Sequence, residues 1–201
     1  KVKLNTLVSG GSFGRRANYQ ADFVVEAVNV AKAIQGRAPV RVQATRESDL
    51  HNGQYRPLYV HAVKAGIDAS GAIVGWQHRI VGQSIMAGGP QAGMIKGGVD
   101  PTSVEGVWPT PYSIPNISVD LTSPVQPIRA LWWRSVGNTH TGFVMETMLD
   151  ELATLAGKDP VEFRLGLLKD KPRHTAALKL AADKAGWGKP SAAGRARGVA
   201  L

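Results

Sequence analysis

The sequence predicts an α+β fold with mixed sheets, hairpins and a few packed helices. The first observation is a hairpin signature: residues 58–67 and 72–81 alternate between apolar and polar side chains and are joined by a short turn that ends in Gly71. The second observation is that the helical patterns are few and do not alternate regularly with strands. A parallel α/β protein would show that alternation, so an α+β arrangement is favoured.

Several other segments have the alternation or the β-branched composition of strands. The predicted strands cover residues 2–8, 40–45, 117–121 and 128–133, and a further strand starts at Gly198. Residues 84–115 are rich in Gly and Pro, which predicts a long irregular excursion. Loops of that length inside a compact domain are usually functional or disordered.

Helical spacing of apolar residues predicts four α-helices. They cover residues 18–34, 139–156, 160–169 and 175–185. Gly36, Gly157 and Gly186 are natural helix stops, and Asp159-Pro160 has the N-cap residue and the first-turn proline that begin a helix.

Two of these helices carry an apolar stripe of the kind that packs on a core. The stripe of the first contains Phe23, Ala27, Val30 and Ile34, and that of the second contains Val144, Met145, Met148, Leu149, Leu152 and Leu155. Glu146 and Asp150 lie one turn apart on the second helix. We interpret them as part of a solvated polar face, with a paired acid site as the alternative.

A chain of 201 residues can form one sizeable domain or two small ones. The character of the sequence changes near residue 125, which suggests a first part over residues 1–124 and a second part over residues 125–201. A single domain is the alternative. The chain starts and stops within predicted strands, so we expect it to be an internal piece of a longer protein.

The composition is that of a globular protein and excludes several kinds of site. Hydrophobic residues make up 43% and charged residues 19% of the chain. No apolar run approaches the roughly 18 residues of a membrane-spanning helix, so no membrane span is expected. There is no Cys, which excludes disulfides, thiolate zinc sites and protein-held iron–sulfur clusters from this chain.

The net charge of +9 favours an acidic partner such as nucleic acid, an anionic membrane or a phosphate-bearing small molecule. The basic residues are scattered, however, and the densest spots are Arg15-Arg16 and residues 195–197. We therefore expect no nucleic-acid partner. A non-catalytic basic domain that binds nucleic acid or another polyanion stays as an alternative, as does a structural or assembly role.

The motif Gly-Gly-Ser-Phe-Gly-Arg-Arg over residues 10–16 lies between a predicted strand and a predicted helix. Successive backbone N–H groups in such a loop can form an anion-binding concavity, and the following helix N-terminus adds partial positive charge. The spacing matches neither a P-loop nor a dinucleotide-binding fingerprint. A plain strand–helix turn with two surface arginines explains the same residues.

A second motif, Trp-Trp-Arg-Ser-Val-Gly over residues 132–137, suits a backbone-lined ligand wall, and core tryptophans beside a surface arginine are the alternative. The five histidines show no metal-binding spacing, so each is interpreted as structural or exposed. No serine lies in a nucleophile-elbow context, and no side chain is a convincing general base. We therefore expect neither a catalytic residue nor a metal ligand in this chain.

These segments resemble, in the same order, the large subunit of the xanthine dehydrogenase/aldehyde oxidase family of molybdenum hydroxylases, particularly the β subunits of bacterial isoquinoline 1-oxidoreductases. The resemblance covers nearly the whole chain. It rests on residues 10–16, 45–50, 112–116 and 133–137, and most specifically on residues 148–165.

The resemblance implies a molybdenum-cofactor-binding-domain fold and a molybdopterin cofactor, which in bacteria is usually extended to a cytosine dinucleotide. It implies oxidative hydroxylation of an N-heterocycle or an aldehyde, with water as the oxygen source. The implied partners are the rest of the large subunit, a separate small 2Fe-2S subunit, and a small aromatic or aldehyde substrate. An outside cluster agrees with the absence of Cys from this chain.

Residue by residue, the resemblance implies that Gly10, Gly11, Ser12, Phe13 and Gly14 present backbone amides to the cofactor. Phe13 then lies closest to the molybdenum oxo ligand, and the backbone amide of Arg134 faces the same centre. Ser12 stands where many members have Gly. The family's catalytic base is a glutamate in a Gly-x-Gly-Glu setting, which this chain lacks. We therefore expect the chain by itself to be inactive and to retain no cofactor.

Overall fold

The computed structural model describes residues 3–201 and contains one three-stranded mixed sheet in the order β1-β2-β3. β1 (Tyr59–Ile67) and β2 (Ile73–Gly82) form the predicted antiparallel hairpin, and β3 (Ile117–Thr122) pairs with β2 in parallel. The hairpin turn is held by the Asp68 side chain, which accepts hydrogen bonds from the backbone N–H groups of Ser70 and Ala72 at 2.8 and 3.0 Å. The hairpin prediction and the β3 prediction are confirmed.

Six α-helices accompany the sheet in the described part of the chain, and all four predicted helices are confirmed. They are α1 (Asp22–Ala33), α2 (Arg46–Asn52), α3 (Pro101–Val104), α4 (Asn138–Leu155), α5 (Pro160–Leu167) and α6 (Pro172–Ala185). Asp159 is the N-cap of α5, where its side chain accepts from the N–H groups of Val161 and Glu162, as the Asp-Pro pair predicted. The two short helices, α2 and α3, were not predicted.

The hydrophobic core lies where α4 packs on the sheet, with α5 packed on α4 and α6 on α5. Trp76 and Ile80 of β2 are buried there against Leu149 and Leu152 of α4. The core takes residues from both sides of position 124, and a division of the chain at that position stays a prediction. A mixed sheet with helices packed on it is an α+β fold, which confirms the predicted fold class.

The interpretation of Glu146 and Asp150 as a solvated face is wrong for Glu146, which is buried. Arg164 of α5, itself fully buried, donates to Glu146 Oε2 at 2.8 Å and to Asp150 Oδ1 at 2.7 Å. Glu146 also accepts from the hydroxyl of Tyr112 at 2.8 Å. Burial, and then the charge of Glu146, raises the pKa of Tyr112, so this hydroxyl stays protonated and donates. The two acids therefore share one buried cation, which a helical spacing alone does not indicate.

Three strand predictions are wrong, and a fourth is wrong over the part that the structure describes. Residues 3–8, 40–45, 128–133 and those from 198 onward form no strand, while Val2 of the predicted first strand lies outside the described residues. A strand needs a neighbour for its backbone N–H and C=O groups, and alternation alone does not provide one. Ala130 forms a single bridge, to Tyr55. Pro57, two residues after Tyr55, has no N–H to donate to a longer ladder.

The stripe on α1 lies outside the core: Phe23 and Val30 are 46% and 40% exposed, while Ala27 and Ile34 are half-buried. Residues 84–115 are irregular as predicted, apart from α3 and a 3₁₀ turn at Ala92–Met94. Among the described residues, no helix has both the length and the apolar content that a membrane crossing requires.

Candidate functional site

The glycine loop, residues 10–14, is held in a tight turn by its own backbone. Arg15 N–H donates to Ser12 O and Ala17 N–H donates to Gly14 O, both at 3.0 Å. The turn requires positive φ at Gly11 (+112°), Phe13 (+50°) and Gly14 (+96°). Gly adopts such angles without a steric penalty, which explains two of the three positions. Phe13 is a non-glycine residue in the left-handed region, a feature often found at functional sites.

The structure brings the glycine loop against residues 132–137, which we call the Trp–Arg segment. The backbone N–H of Arg134 donates to the carbonyl oxygen of Phe13 at 2.7 Å, across 121 residues of chain. Gly14 lies so close that a Cβ there would be 2.5 Å from Trp132 O and 2.6 Å from the Cα of Trp133. The two predicted site motifs therefore form one surface, and a glycine is required where they touch.

The backbone amides of the glycine loop are free donors. None of the five N–H groups of residues 10–14 has an acceptor among residues 3–201. The amide of Arg134, by contrast, donates to Phe13, whereas the amide of the neighbouring Ser135 has no acceptor among residues 3–201. Phe13 is 58% exposed, and its ring covers Gly11, where a Cβ would be 3.1 Å from Cε2. Backbone N–H groups without partners in a glycine loop are suited to an oxygen-rich anion.

The two arginines of the motif are engaged nearby and do not face outward together. Arg15 forms a salt bridge with Asp22 at 2.8 Å, and the guanidinium of Arg16 lies 5.7 Å from the centre of the Phe23 ring. Both contacts tie the end of the glycine loop to the start of α1. The densest basic spot of the sequence is therefore largely a structural connection.

The Trp–Arg segment is itself held by residues that sequence analysis did not single out. Arg56 donates from both terminal guanidinium nitrogens to the Arg134 carbonyl at 3.2 Å, and it donates to the Thr139 hydroxyl. Gly137 N–H donates to a Glu105 carboxylate oxygen at 3.2 Å. Between these anchors Ser135 and Val136 have φ of +73° and +42°. Arg56 precedes a proline in a loop and has no motif around it, so no sequence signal could have found it.

Three histidines lie together behind this segment and form what we call the histidine cluster: His61, His78 and His140. His61 Nδ1 lies 2.8 Å from His78 Nε2, and His61 Nε2 lies 3.0 Å from His140 Nδ1. The ring of His140 also stacks on Tyr59, with ring centres 3.7 Å apart. The cluster comes from β1, β2 and α4, so no spacing along the sequence could reveal it. In the part of the chain that the structure describes, no group of three or more His, Asp or Glu could hold a metal ion.

The histidine cluster is neutral at pH 7. Burial and then the neighbouring His61 lower the pKa of His78 to about 4. Burial, followed by His61, His78 and Arg56, lowers the pKa of His140 to about 4, and burial lowers the pKa of His61. Neutral rings can both donate and accept hydrogen bonds, so the cluster can form a continuous chain of them.

We expect the free energy of unfolding to fall as the pH drops from about 6.5 towards 4. In this pH range the histidines of the cluster bind protons in the unfolded chain but not in the folded one. This lowers the free energy of unfolding by up to about 1.4 kcal/mol per pH unit for each ring. Urea unfolding at several pH values measures this slope. His140→Gln removes one titrating ring and should flatten the slope, whereas the exposed His174→Gln should leave it unchanged. If the wild type and both variants show the same slope, the lowered pKa of His140 is not the cause of the pH dependence.

Two cavities lie near the site. A small one of about 10 Å³ lies beneath the Trp–Arg segment and is lined by Arg56, Tyr59, Trp133 and His140 among others. A groove of about 940 Å³ lies between the end of α2, the start of β1 and residues 124–130. No residue of the glycine loop or of the Trp–Arg segment lines that groove, so it is separate from the surface that the two form.

Comparison with known proteins identifies the family. Residues 1–166 match the model of the molybdopterin cofactor-binding domain, which is well over half of the chain. The chain belongs to the molybdopterin cofactor-binding domain family. The resemblance to molybdopterin-binding subunits of the xanthine dehydrogenase/aldehyde oxidase family is thereby confirmed.

Relatives of this molybdopterin cofactor-binding domain are subunits of oxidoreductases. A nicotinate dehydrogenase subunit of Pseudomonas putida is 30% identical over 93% of this chain and 16% of its own length. The beta subunit of isoquinoline 1-oxidoreductase of Brevundimonas diminuta is 29% identical over 96% of this chain and 24% of its own length. The chain therefore spans a quarter or less of the length of these relatives.

The fold of the domain is also that of a solved enzyme. Quinoline 2-oxidoreductase from Pseudomonas putida 86 superposes with a TM-score of 0.69 at 17% identity, covering 88% of this chain and 24% of the other. At that identity the likeness establishes the fold alone. It agrees with the α+β architecture described above.

Proposed function

We propose that this domain is the part of a molybdenum-dependent oxidoreductase in which the glycine loop and Ser135 donate main-chain hydrogen bonds to the molybdopterin cofactor. One observation carries the proposal: the bond from Arg134 N–H to Phe13 O joins the two motifs while the five loop amides stay free. Preorganised backbone donors suit the oxygens of a molybdenum centre, because they need no rearrangement when charge develops there.

The donor set suits the cofactor in its chemistry. Gly10 has no Cβ, and a Cβ there would meet nothing within 4 Å, so a ligand can approach its amide closely. The open side of the loop is therefore available to a ligand. In this proposal Gly10, Gly11, Ser12, Phe13 and Gly14 hold the cofactor, and the backbone of Arg134 keeps the loop in position through Phe13.

The bound cofactor would supply two-electron oxidation of a substrate carbon, with water as the oxygen source. The names of the relatives include N-heterocycles, and both an N-heterocycle and an aldehyde are proposed as substrate classes. The flat rings of Phe13 and of the tryptophans in the Trp–Arg segment are suited to an aromatic substrate. We also propose, from the family resemblance, that the electrons pass to iron–sulfur clusters in a separate small 2Fe-2S subunit, and the absence of Cys from this chain agrees with that division.

We propose the cytosine dinucleotide form of the cofactor and expect none to stay bound to the 201-residue chain alone. Gly10, Gly11 and Ser135 are exposed and Phe13 is more than half exposed, so the described residues do not enclose a ligand at this surface. The remaining wall of the pocket would come from the rest of the large subunit.

Phe13→Ala in the complete enzyme tests the proposed function. We expect turnover to fall by about 10- to 100-fold, because the ring that covers the loop and faces the substrate is lost and positioning suffers. Turnover and molybdenum per enzyme molecule are measured together. The control is Phe143→Ala, which removes an equally large and 72% exposed ring from α4. If both variants keep full turnover and full molybdenum content, Phe13 is not part of the site.

A further inference from the structure

The indole of Trp76 determines which ring nitrogens of the histidine cluster donate hydrogen bonds and which accept them. Trp76 Nε1–H lies 3.5 Å from His78 Nδ1, and an indole nitrogen can only donate. His78 Nδ1 is therefore the acceptor, which leaves the proton of its neutral ring on Nε2. That nitrogen donates to His61 Nδ1 at 2.8 Å.

The proton positions of His61 and His140 follow in the same way. His61 accepts at Nδ1, so its proton lies on Nε2, which donates to His140 Nδ1 at 3.0 Å. His140 must then carry its proton on Nε2. That nitrogen is buried and has no hydrogen-bond partner among residues 3–201. The opposite direction would place two N–H groups against each other at Trp76 and His78.

A second buried donor shares the cavity that His140 lines. Trp133 Nε1 is buried without a partner among the described residues as well, and both side chains line the cavity of about 10 Å³. Leaving a buried donor unpaired costs about 1–3 kcal/mol, so two of them in one place call for an acceptor. A space of this size has room for about one water molecule.

We propose that the histidine cluster donates in one direction, which fixes Nε2–H of His140, and that this donor and the indole N–H of Trp133 bind one water molecule. The water's oxygen accepts both bonds and ties the Trp–Arg segment to α4. Arg56, which lines the same cavity and holds the Arg134 carbonyl, supports the segment from the other side. The site is independent of the proposed function, because it needs no cofactor.

Nuclear magnetic resonance of the complete subunit at pH 7.5, with ¹⁵N in its histidine and tryptophan side chains, tests the proposal. Long-range ¹H–¹⁵N spectra should show one fixed tautomer, with the proton on Nε2, for each ring of the histidine cluster. Cross-relaxation with water should appear at both His140 Hε2 and Trp133 Hε1. The exposed His51 and His174 provide the internal comparison of freely exchanging rings.

Two variants separate the direction of the cluster from simple packing. His61→Phe interrupts the chain and should turn the single tautomer of His140 into a mixture, whereas His174→Phe should change nothing at His140. Trp133→Phe removes one donor and should speed exchange of His140 Hε2 at least tenfold, and Trp132→Phe should not.

The wild-type spectra decide the question even if His61→Phe fails to fold. A proton on Nδ1 of His140 would overturn the proposed direction. Averaged tautomers in the cluster, like those of His51 and His174, would overturn the fixed donor. The absence of water contacts at both protons would overturn the water site.

Discussion

Replacing Arg164 by leucine is expected to lower the free energy of unfolding by about 3–5 kcal/mol, because the buried carboxylate of Glu146 then loses its counter-ion. Arg164 is fully buried and makes four contacts: to the side chain of Glu146, to that of Asp150, and to the carbonyl oxygens of Glu146 and Pro160. The three bonds to Glu146 and Asp150 tie α5 to α4, and the bond to Pro160 lies within α5. Urea unfolding, followed by circular dichroism, measures the change.

A surface pair provides the control for Arg164. Arg79 and Asp120 lie 3.7 Å apart with side chains 64% and 50% exposed, so Arg79→Leu should cost less than about 1 kcal/mol. Both variants remove an ion pair, but only Arg164→Leu leaves a buried charge without a partner. The difference between the two therefore measures the effect of burial. A similar small loss in both variants would mean that Glu146 finds solvent or another partner when Arg164 is removed.

Gly14→Ala is expected to separate the glycine loop from the Trp–Arg segment and to lower the molybdenum content of the complete subunit at least tenfold. The φ of +96° is costly for alanine, about 1–3 kcal/mol, and the new Cβ would overlap two backbone atoms at 2.5 and 2.6 Å. Backbone atoms cannot rotate away as a flexible side chain can, so the loop must move. Molybdenum per folded molecule measures the result.

Gly36→Ala is the matched control for Gly14. Its φ of +66° also lies in the left-handed region, which alanine adopts at some cost, but its Cβ would meet nothing within 4 Å. The control should therefore lose some stability and keep its molybdenum. If Gly14→Ala binds as much molybdenum as Gly36→Ala does, the contact between the two motifs does not hold the cofactor.

The sequence predicted those elements that depend on a few neighbouring residues. The hairpin follows from alternation and a turn residue, and α5 follows from an N-cap aspartate before a proline. The helix stop at Gly157 was predicted for the same reason, since its φ of +62° suits glycine. Such features depend on a few neighbouring residues, and the fold class follows from their order.

The predictions that were wrong, and the features that were missed, concern residues whose partners are distant in the chain. Residues 128–133 have a strand-like composition, but only Ala130 meets a bridge partner, at Tyr55. Glu146 looks like a surface acid until Arg164 is placed beside it, 18 residues away. The histidine cluster draws on three elements, and spacing along the chain contains no trace of it.

The candidate site lies between these cases. The glycines of residues 10–14 predict a tight loop by themselves, because positive φ is a local property. The partnership of that loop with Arg134 came from the family resemblance, and the 2.7 Å bond between them appears only in the fold. The occupied amide of Arg134 and the free amide of Ser135 are likewise visible only there.

Hydrogen–deuterium exchange of the complete subunit, with and without its molybdenum cofactor, tests most directly whether these amides face the cofactor. We expect the amides of the glycine loop and of Ser135 to exchange at least about tenfold more slowly in the loaded form, because each then donates to a ligand oxygen. The paired amides of β1 and β2 serve as the internal reference and should not change. Equal exchange of the loop amides in both forms would contradict the proposal.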